Sequence, residues 1–161
     1  MQQALRVAAA GTIAVLALTM GAQQASAADW SDTSIGYRYG TRFAEPYNPQ
    51  DIHKQILNWT YADGYKYGGN YMNLDFLRSD GADNNAHEAY LLYRHTLDLG
   101  KVSGKDFKFG PVRGVGLTAG FDWNTKNDVG YNSRKRMLVA GPTLMWDVPG
   151  FLNTGILLLR E

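Results

Sequence analysis

Along much of the chain, apolar and polar residues alternate one for one. From Ile35 the odd positions carry Ile35, Tyr37, Tyr39, Thr41 and Phe43, while the even ones carry Ser34, Gly36, Arg38, Gly40 and Arg42. A period of two sends successive side chains to opposite faces of a β-strand, so this segment predicts a strand with one greasy face and one polar face. The pattern recurs at Ala89, Leu91, Tyr93, Leu97 and Leu99 against Glu88, Tyr90, Arg94, Thr96 and Asp98, with His95 the polar residue on the apolar side. It recurs again at Val115, Leu117, Ala119, Phe121 and Trp123 against Gly114, Gly116, Thr118, Gly120 and Asp122. Two noisier runs, around Leu57, Trp59 and Tyr61 and around Met72, Leu74 and Phe76, follow the same rule. So does a nearly all-apolar run from Leu138 to Trp146 that contains Pro142. A leucine-rich run from Gly155 to Glu161 completes a set of about seven strands.

Turn chemistry separates these runs: Glu45-Pro46-Tyr47-Asn48-Pro49, Asp63-Gly64, Ser79 to Asn85, Gly100 to Pro111, Asn124 to Asn132 and Val148-Pro149-Gly150. Connections are expected at 44–51, 79–87 and 124–133 on one side of the sheet, and at 62–65, 100–111 and 147–151 on the other. The first set reads as longer and more polar, with 100–111 the exception, which is the asymmetry of an outer-membrane barrel with short periplasmic turns. A soluble periplasmic β-sandwich or a small lipocalin-like binding barrel would alternate in the same way. Two features favour the membrane barrel. Trp59 with Tyr61, Phe121 with Trp123, and Trp146 sit near strand ends on the apolar face, as in interfacial girdles. The opposite face carries Arg38, Arg42, Lys54, Asp75, Glu88 and Arg94, which a wet lumen accepts and a dry core does not.

The amino terminus changes the compartment. Met1 to Ala27 reads as a secretory signal peptide: Arg6 supplies the positive region, Val7 to Ala22 is uncharged and mostly apolar, and Ala25-Ser26-Ala27 is a small-x-small cleavage site. The uncharged run is shorter than the roughly 20 residues of a membrane-spanning helix, and no second such run follows. Export with cleavage after Ala27 is expected, so amino-terminal sequencing of envelope material should begin Ala28-Asp29-Trp30; a retained Met1 would overturn it. With Arg6 removed, positive and negative side chains balance, and no overall field recruits nucleic acid. The chain has no cysteine, which removes disulfides, thiol nucleophiles, Cys-ligated metals and a lipoprotein anchor, and fits a bacterial envelope.

Trp30 to Glu161 resembles the Tsx-like superfamily of nucleoside-specific channel-forming outer-membrane proteins, also called outer envelope proteins. The resemblance is carried by Tyr37-Arg38-Tyr39-Gly40-Thr41-Arg42-Phe43-Ala44-Glu45-Pro46 running into Asn48-Pro49. It continues through Asp51-Ile52-His53-Lys54, Tyr67-Gly68-Gly69-Asn70 to Asp75, Ser79-Asp80, Gly141-Pro142 and Val148-Pro149-Gly150-Phe151. It implies an all-β fold, an antiparallel transmembrane β-barrel of about twelve strands in the outer membrane, monomeric, with a narrow lumen for nucleosides or similar small polar solutes. About seven strands cannot close antiparallel, and Leu158-Leu159-Arg160-Glu161 ends in mid-strand without a terminal aromatic. The expectation is therefore the amino-terminal half of such a barrel: an open, curled sheet, with the signal peptide as a separate helix.

A solute channel replaces part of the solute's hydration with lumen side chains, aromatic faces for a base and polar groups for ribose hydroxyls. By parity the candidates are Arg38, Arg42, Lys54, Asn58, Tyr71, Asn73, Asp75, Glu88, Tyr90 and Arg94. Each of them fits a structural charge network across facing strands equally well. Glu45-Pro46 with Asn48-Pro49 reads as a rigid surface turn, with an inward-folding constriction as the alternative. No cofactor is expected; the partners are a nucleoside-like solute and outer-membrane lipid, with no nucleic acid. His87-Glu88 lacks the second histidine of a zinc site, since Leu91 stands in its place, and Asp80, Asp83 and Asn85 miss the spacing of a calcium loop. The glycines from Gly110 to Gly120 lack a phosphate-cradling motif, and Gly114, Gly116 and Gly120 are expected to leave room beside bulky lumen groups. An outer-membrane lipid-modifying enzyme is the rival class, with Ser79, His87 and Glu88 as its only nucleophile and base near one rim.

Overall fold

A computed structural model describes residues 28–161; the leader at 1–27 lies outside the described residues. The chain forms one antiparallel sheet in sequence order: β1 (Trp30–Glu45), β2 (Asn48–Tyr65), β3 (Gly68–Ser79), β4 (His87–Asp98), β5 (Val112–Asn127) and β6 (Arg136–Trp146). Two short pieces, β7 (Asn153–Gly155) and β8 (Leu158–Arg160), both pair with β6, so together they make an interrupted seventh strand. The interruption lies opposite Pro142, whose backbone oxygen accepts from Ile156 N at 3.1 Å. In an antiparallel ladder one residue's N–H and C=O point the same way, so the donor Pro142 lacks is missing on that side. The fold is all-β, as expected. A 3-10 turn, Gly81–Asp83, sits between β3 and β4, and one short helix, α1 (Leu99–Ser103), between β4 and β5. Among the described residues no helix is long and apolar enough to cross a membrane.

The sheet curls towards its polar face. In the regular strands the parity expected from the sequence holds: Lys54, Ile56, Thr118, Asp122, Asn124, Lys126 and Thr143 are buried on one face. On the other, Ile35, Leu57, Phe76 and Leu138 leave half or more of their surface open. Curvature also shows in contacts between strands that are not neighbours. Arg38 of β1 reaches Asp75 of β3, Lys54 of β2 reaches Glu88 of β4, and Lys126 of β5 reaches Glu45 at the end of β1. Such chords form only across a concave surface.

Several boundaries differ from expectation, each for a local reason. The connection expected at 44–51 is a two-residue turn, Pro46-Tyr47, with Pro46 at the first corner and a positive φ of 65° at Tyr47, as in a type II turn. Asp63-Gly64 is no turn; it lies inside β2, and the chain reverses at Lys66-Tyr67. The missing Cβ of Gly64 leaves room for the Trp30 indole, whose Nε1 lies 2.1 Å from where that carbon would be. β5 runs on to Asn127, past the expected break at Asn124. With the turn at 46–47 as short as the one at 66–67 on the other side, the two sets of connections do not separate by length, and the expected asymmetry is absent.

Arg42 departs from the face that its parity predicts. Gly40 pairs with Lys54, but Phe43, three residues on, pairs with Ile52, only two residues away on β2. That β-bulge inserts one residue and inverts the parity beyond it. Phe43 and Glu45 therefore turn to the concave face, where Lys54 Nζ lies 5.8 Å from the centre of the Phe43 ring. Arg42 turns outward and stays 85% exposed, 4.0 Å from the equally outward Asp51.

Candidate functional site

The concave face carries three polar groups, set by the ladder rows. Arg38, Asn58, Asn73 and Asp75 meet near the middle of β1 to β3. Asn58 faces Asp75 and Thr60 faces Asn73 directly across β2 and β3, which brings short side chains into hydrogen-bond range. One Arg38 nitrogen, Nη2, donates to both Asp75 oxygens at 2.9 Å. Asn58 Nδ2 donates to Asp75 Oδ1 at 2.6 Å and to Asn73 Oδ1 at 2.7 Å, and Thr60 Oγ1 donates to Asn73 Oδ1 at 3.1 Å.

A second group lies on β4 and β5. Arg94 Nη1 is 2.6 Å from Asp122 Oδ1, while its N–H bonds point to the carbonyls of Tyr93 and Phe121 at 2.9 and 3.1 Å. The contact with Asp122 is thus one of charge rather than an aligned hydrogen bond. Tyr90 donates to Asp122 Oδ2 at 3.1 Å, and Tyr71 stands opposite Arg94 on the same face. Beside them Thr96, Thr118 and Thr143 form a hydroxyl ladder with spacings of 2.7 and 2.6 Å.

The third group closes one mouth of the concavity. Lys126, 1% exposed, lies 2.9 Å from Asp83, 3.4 Å from Glu45 and 4.0 Å from Asp128. Glu45 also pairs with Lys54, which lies 3.7 Å from Glu88, and Glu88 accepts from Asn124. Ser79 Oγ donates to Asp83 Oδ2 at 2.7 Å. Two ammonium groups thus serve four carboxylates drawn from β1, the 3-10 turn, β4 and the β5–β6 connection.

Of the ten residues expected in a lumen, nine lie on the concave face and Arg42 does not. The residues the sequence reading missed are Glu45, Asp83, Asp122, Asn124, Lys126 and Asp128. For three of them a signal exists: the even-numbered polar series through Asp122 continues to Asn124 and Lys126. Glu45 belongs to the Glu45-Pro46 and Asn48-Pro49 segment, read as either a rigid surface turn or an inward fold, and a bulge turns its side chain inward; Asp83 and Asp128 carry no signal, because turns place them. The lumen glycines also do something other than expected. A Cβ on Gly116 or Gly120 would meet backbone first, the carbonyl oxygens of Leu97 at 2.8 Å and Tyr93 at 2.0 Å, whereas one on Gly114 would meet only a side chain, Met145.

The enzyme constellation does not assemble. Ser79 is bonded to Asp83, and His87 stands in the outer row between Arg78 and Asn127. Among the described residues no group of His, Asp or Glu has the geometry of a metal site. His95, on the outer face, joins a hydrogen-bonded row with Asn70 Oδ1 at 2.9 Å and stacks on Tyr65 with centroids 5.9 Å apart.

Asp128 offers a pH handle. Asn84 Nδ2 donates to it at 2.8 Å and Tyr131 N at 2.9 Å, and the Asn84 amide foremost holds its carboxyl below the ordinary value. A depressed carboxyl stabilises above its unfolded pKa, and that stabilisation is lost as pH falls through the folded value. The tie between the 3-10 turn and the β5–β6 connection should therefore outlast the ordinary carboxylate range and release only in stronger acid. A carbon NMR titration of the Asp128 carboxyl checks this: Asn84→Ala should raise the midpoint, and an ordinary midpoint in the unaltered protein would refute it.

No protein-family model, no curated protein and no solved structure matches the chain.

Proposed function

We propose that the sheet is part of the wall of an outer-membrane β-barrel that conducts small polar solutes, nucleosides first among them. The observation that carries this reading is the inversion of the faces: apolar side chains point outward and stay open, while the charged ones are buried within the curl. Water as the outer solvent would reverse that arrangement, and a monomer in water rarely exposes so continuous an apolar surface.

The slope of the apolar band supports the same reading. On β2 it centres on Trp59, which shares one row with Leu74, Leu91 and Trp123. On β6, four strands away, it centres on Pro142, which pairs with Leu117, six residues from Trp123 along β5. At about 3.4 Å per residue and about 4.8 Å between strands, the band crosses the sheet at about 45°. Strands tilted by roughly 35–45° in a bilayer need such an offset to keep their apolar residues level.

β1 and the β7–β8 edge run in the same direction, so antiparallel closure takes an odd number of additional strands. The resemblance to Tsx-like channels supports nucleosides as the solute: Asn58, Asn73, Asp75 and Glu88 suit hydroxyls, and Tyr71 and Tyr90 suit a base. The test uses protein purified from outer membranes, where whatever completes the barrel is present. In planar bilayers it should conduct, and titrated adenosine should block the current. Conduction without block would leave a general pore; recovery in the soluble periplasmic fraction without any conductance would overturn the reading.

A further inference from the structure

We infer that Lys126 is the positioning residue of a constriction at the Glu45 end of the lumen, holding the β1–β2 turn and the 80–86 segment inward over the mouth. The inference rests on the channel reading and concerns how that channel narrows. Glu45 lies at the end of β1 and Lys126 on β5, with three strands between them, yet the two groups are 3.4 Å apart. The same ammonium holds Asp83 from the 3-10 turn at 2.9 Å and approaches Asp128 at 4.0 Å. Three connections that a plain barrel would leave pointing away from the rim are thereby drawn to one point inside it.

A second tie follows the same path. Asn48 Nδ2, just after the β1–β2 turn, donates to Ala82 O at 2.8 Å, and Asn84 donates to Asp128. Above this floor lies a cup of about 450 Å³ bordered by Tyr47, Tyr131 and Asn84, with Glu45, Asp83 and Asp128 at its base. A solute entering from this end meets the cup first and the charged floor next. Elsewhere on the concave face Arg38 with Asp75 and Arg94 with Asp122 are balanced one to one. At the floor two ammonium groups, Lys54 and Lys126, stand among four carboxylates. The floor is thus where losing one charge changes what a passing ion meets.

The experiment reads pore size and charge preference together, with channels purified from outer membranes and measured in a KCl gradient. Lys126→Met should raise single-channel conductance by about twofold and shift the reversal potential towards potassium, since it frees the turns and leaves carboxylates behind. Glu45→Gln should also raise conductance, but shift the reversal potential towards chloride. Lys126→Arg should keep both values. A purely structural role predicts no opposed shifts in selectivity. A heat-modifiable band on detergent gels controls for folding, and should Lys126→Met lack it, Glu45→Gln carries the test. Conducting channels whose conductance and selectivity are unchanged in the variants would overturn this inference alone, whereas an unaltered protein that never conducts overturns it together with the channel reading.

Discussion

Gly120→Val is expected to abolish the folded sheet, while Gly114→Ala, on the same face of the same strand, is expected to cost little. A Cβ at Gly120 would lie 2.0 Å from Tyr93 O and 2.9 Å from Tyr93 C. These are backbone atoms of β4, and β5 cannot retreat from them because it is paired on its other side with β6, Gly120 itself lying opposite Val139. Overpacking that side chains can absorb costs about 1–3 kcal/mol; here the ladder itself must move, so the loss should exceed about 3 kcal/mol. Gly114 differs because its Cβ would meet only the terminal methyl of Met145 at 3.1 Å, the far end of a flexible side chain. There the cost should stay within about 1 kcal/mol. Heat-modifiability on detergent gels and the urea midpoint of the purified protein separate the two outcomes. A folded Gly120→Val protein with an unchanged midpoint would show that β4 and β5 do not approach as described.

The second large effect is expected at Asp122. Arg94 is 16% exposed and Asp122 6%, so Asp122→Leu leaves a guanidinium short of water and without its counter-charge. Removing one partner of a buried pair costs about 3–5 kcal/mol, and Tyr90 loses its acceptor as well. Replacing both partners, Arg94→Met with Asp122→Leu, should recover most of that loss, because the larger part of it is the stranded charge. The exposed pair Arg42 and Asp51 gives the contrast: with side chains 85% and 73% open and 4.0 Å apart, its removal should cost about 0–1 kcal/mol. Urea midpoints of the three variants measure the difference. Equal costs at the two sites would mean that water reaches Arg94 as freely as it reaches Arg42.

The antiparallel all-β architecture and the division of each regular strand into two faces were legible in the sequence. The reason is that side-chain direction in a strand has period two whatever surrounds it, so Leu57, Trp59 and Tyr61 declare one face and Asn58 and Thr60 the other. Nine of the ten candidate lumen residues follow from that count alone. The tenth, Arg42, failed because one inserted residue between Gly40 and Phe43 inverts the count, and a bulge is set by how β1 must bend against β2 rather than by residue type. Turn positions were less legible for a related reason. Asp63-Gly64 has turn composition, but the space left by the missing Cβ is filled by Trp30, a residue from another strand. How the mouth cluster assembles lay beyond sequence: Lys126 continues the even-numbered polar series, but Glu45, Asp83 and Lys126 are far apart in the chain and meet only because the sheet curls and carries three connections to one place. Alternation is a local property that sequence alone determines, whereas curvature, register shifts and the ion pairs that span the concavity belong to the whole sheet, and only the tertiary structure decided them.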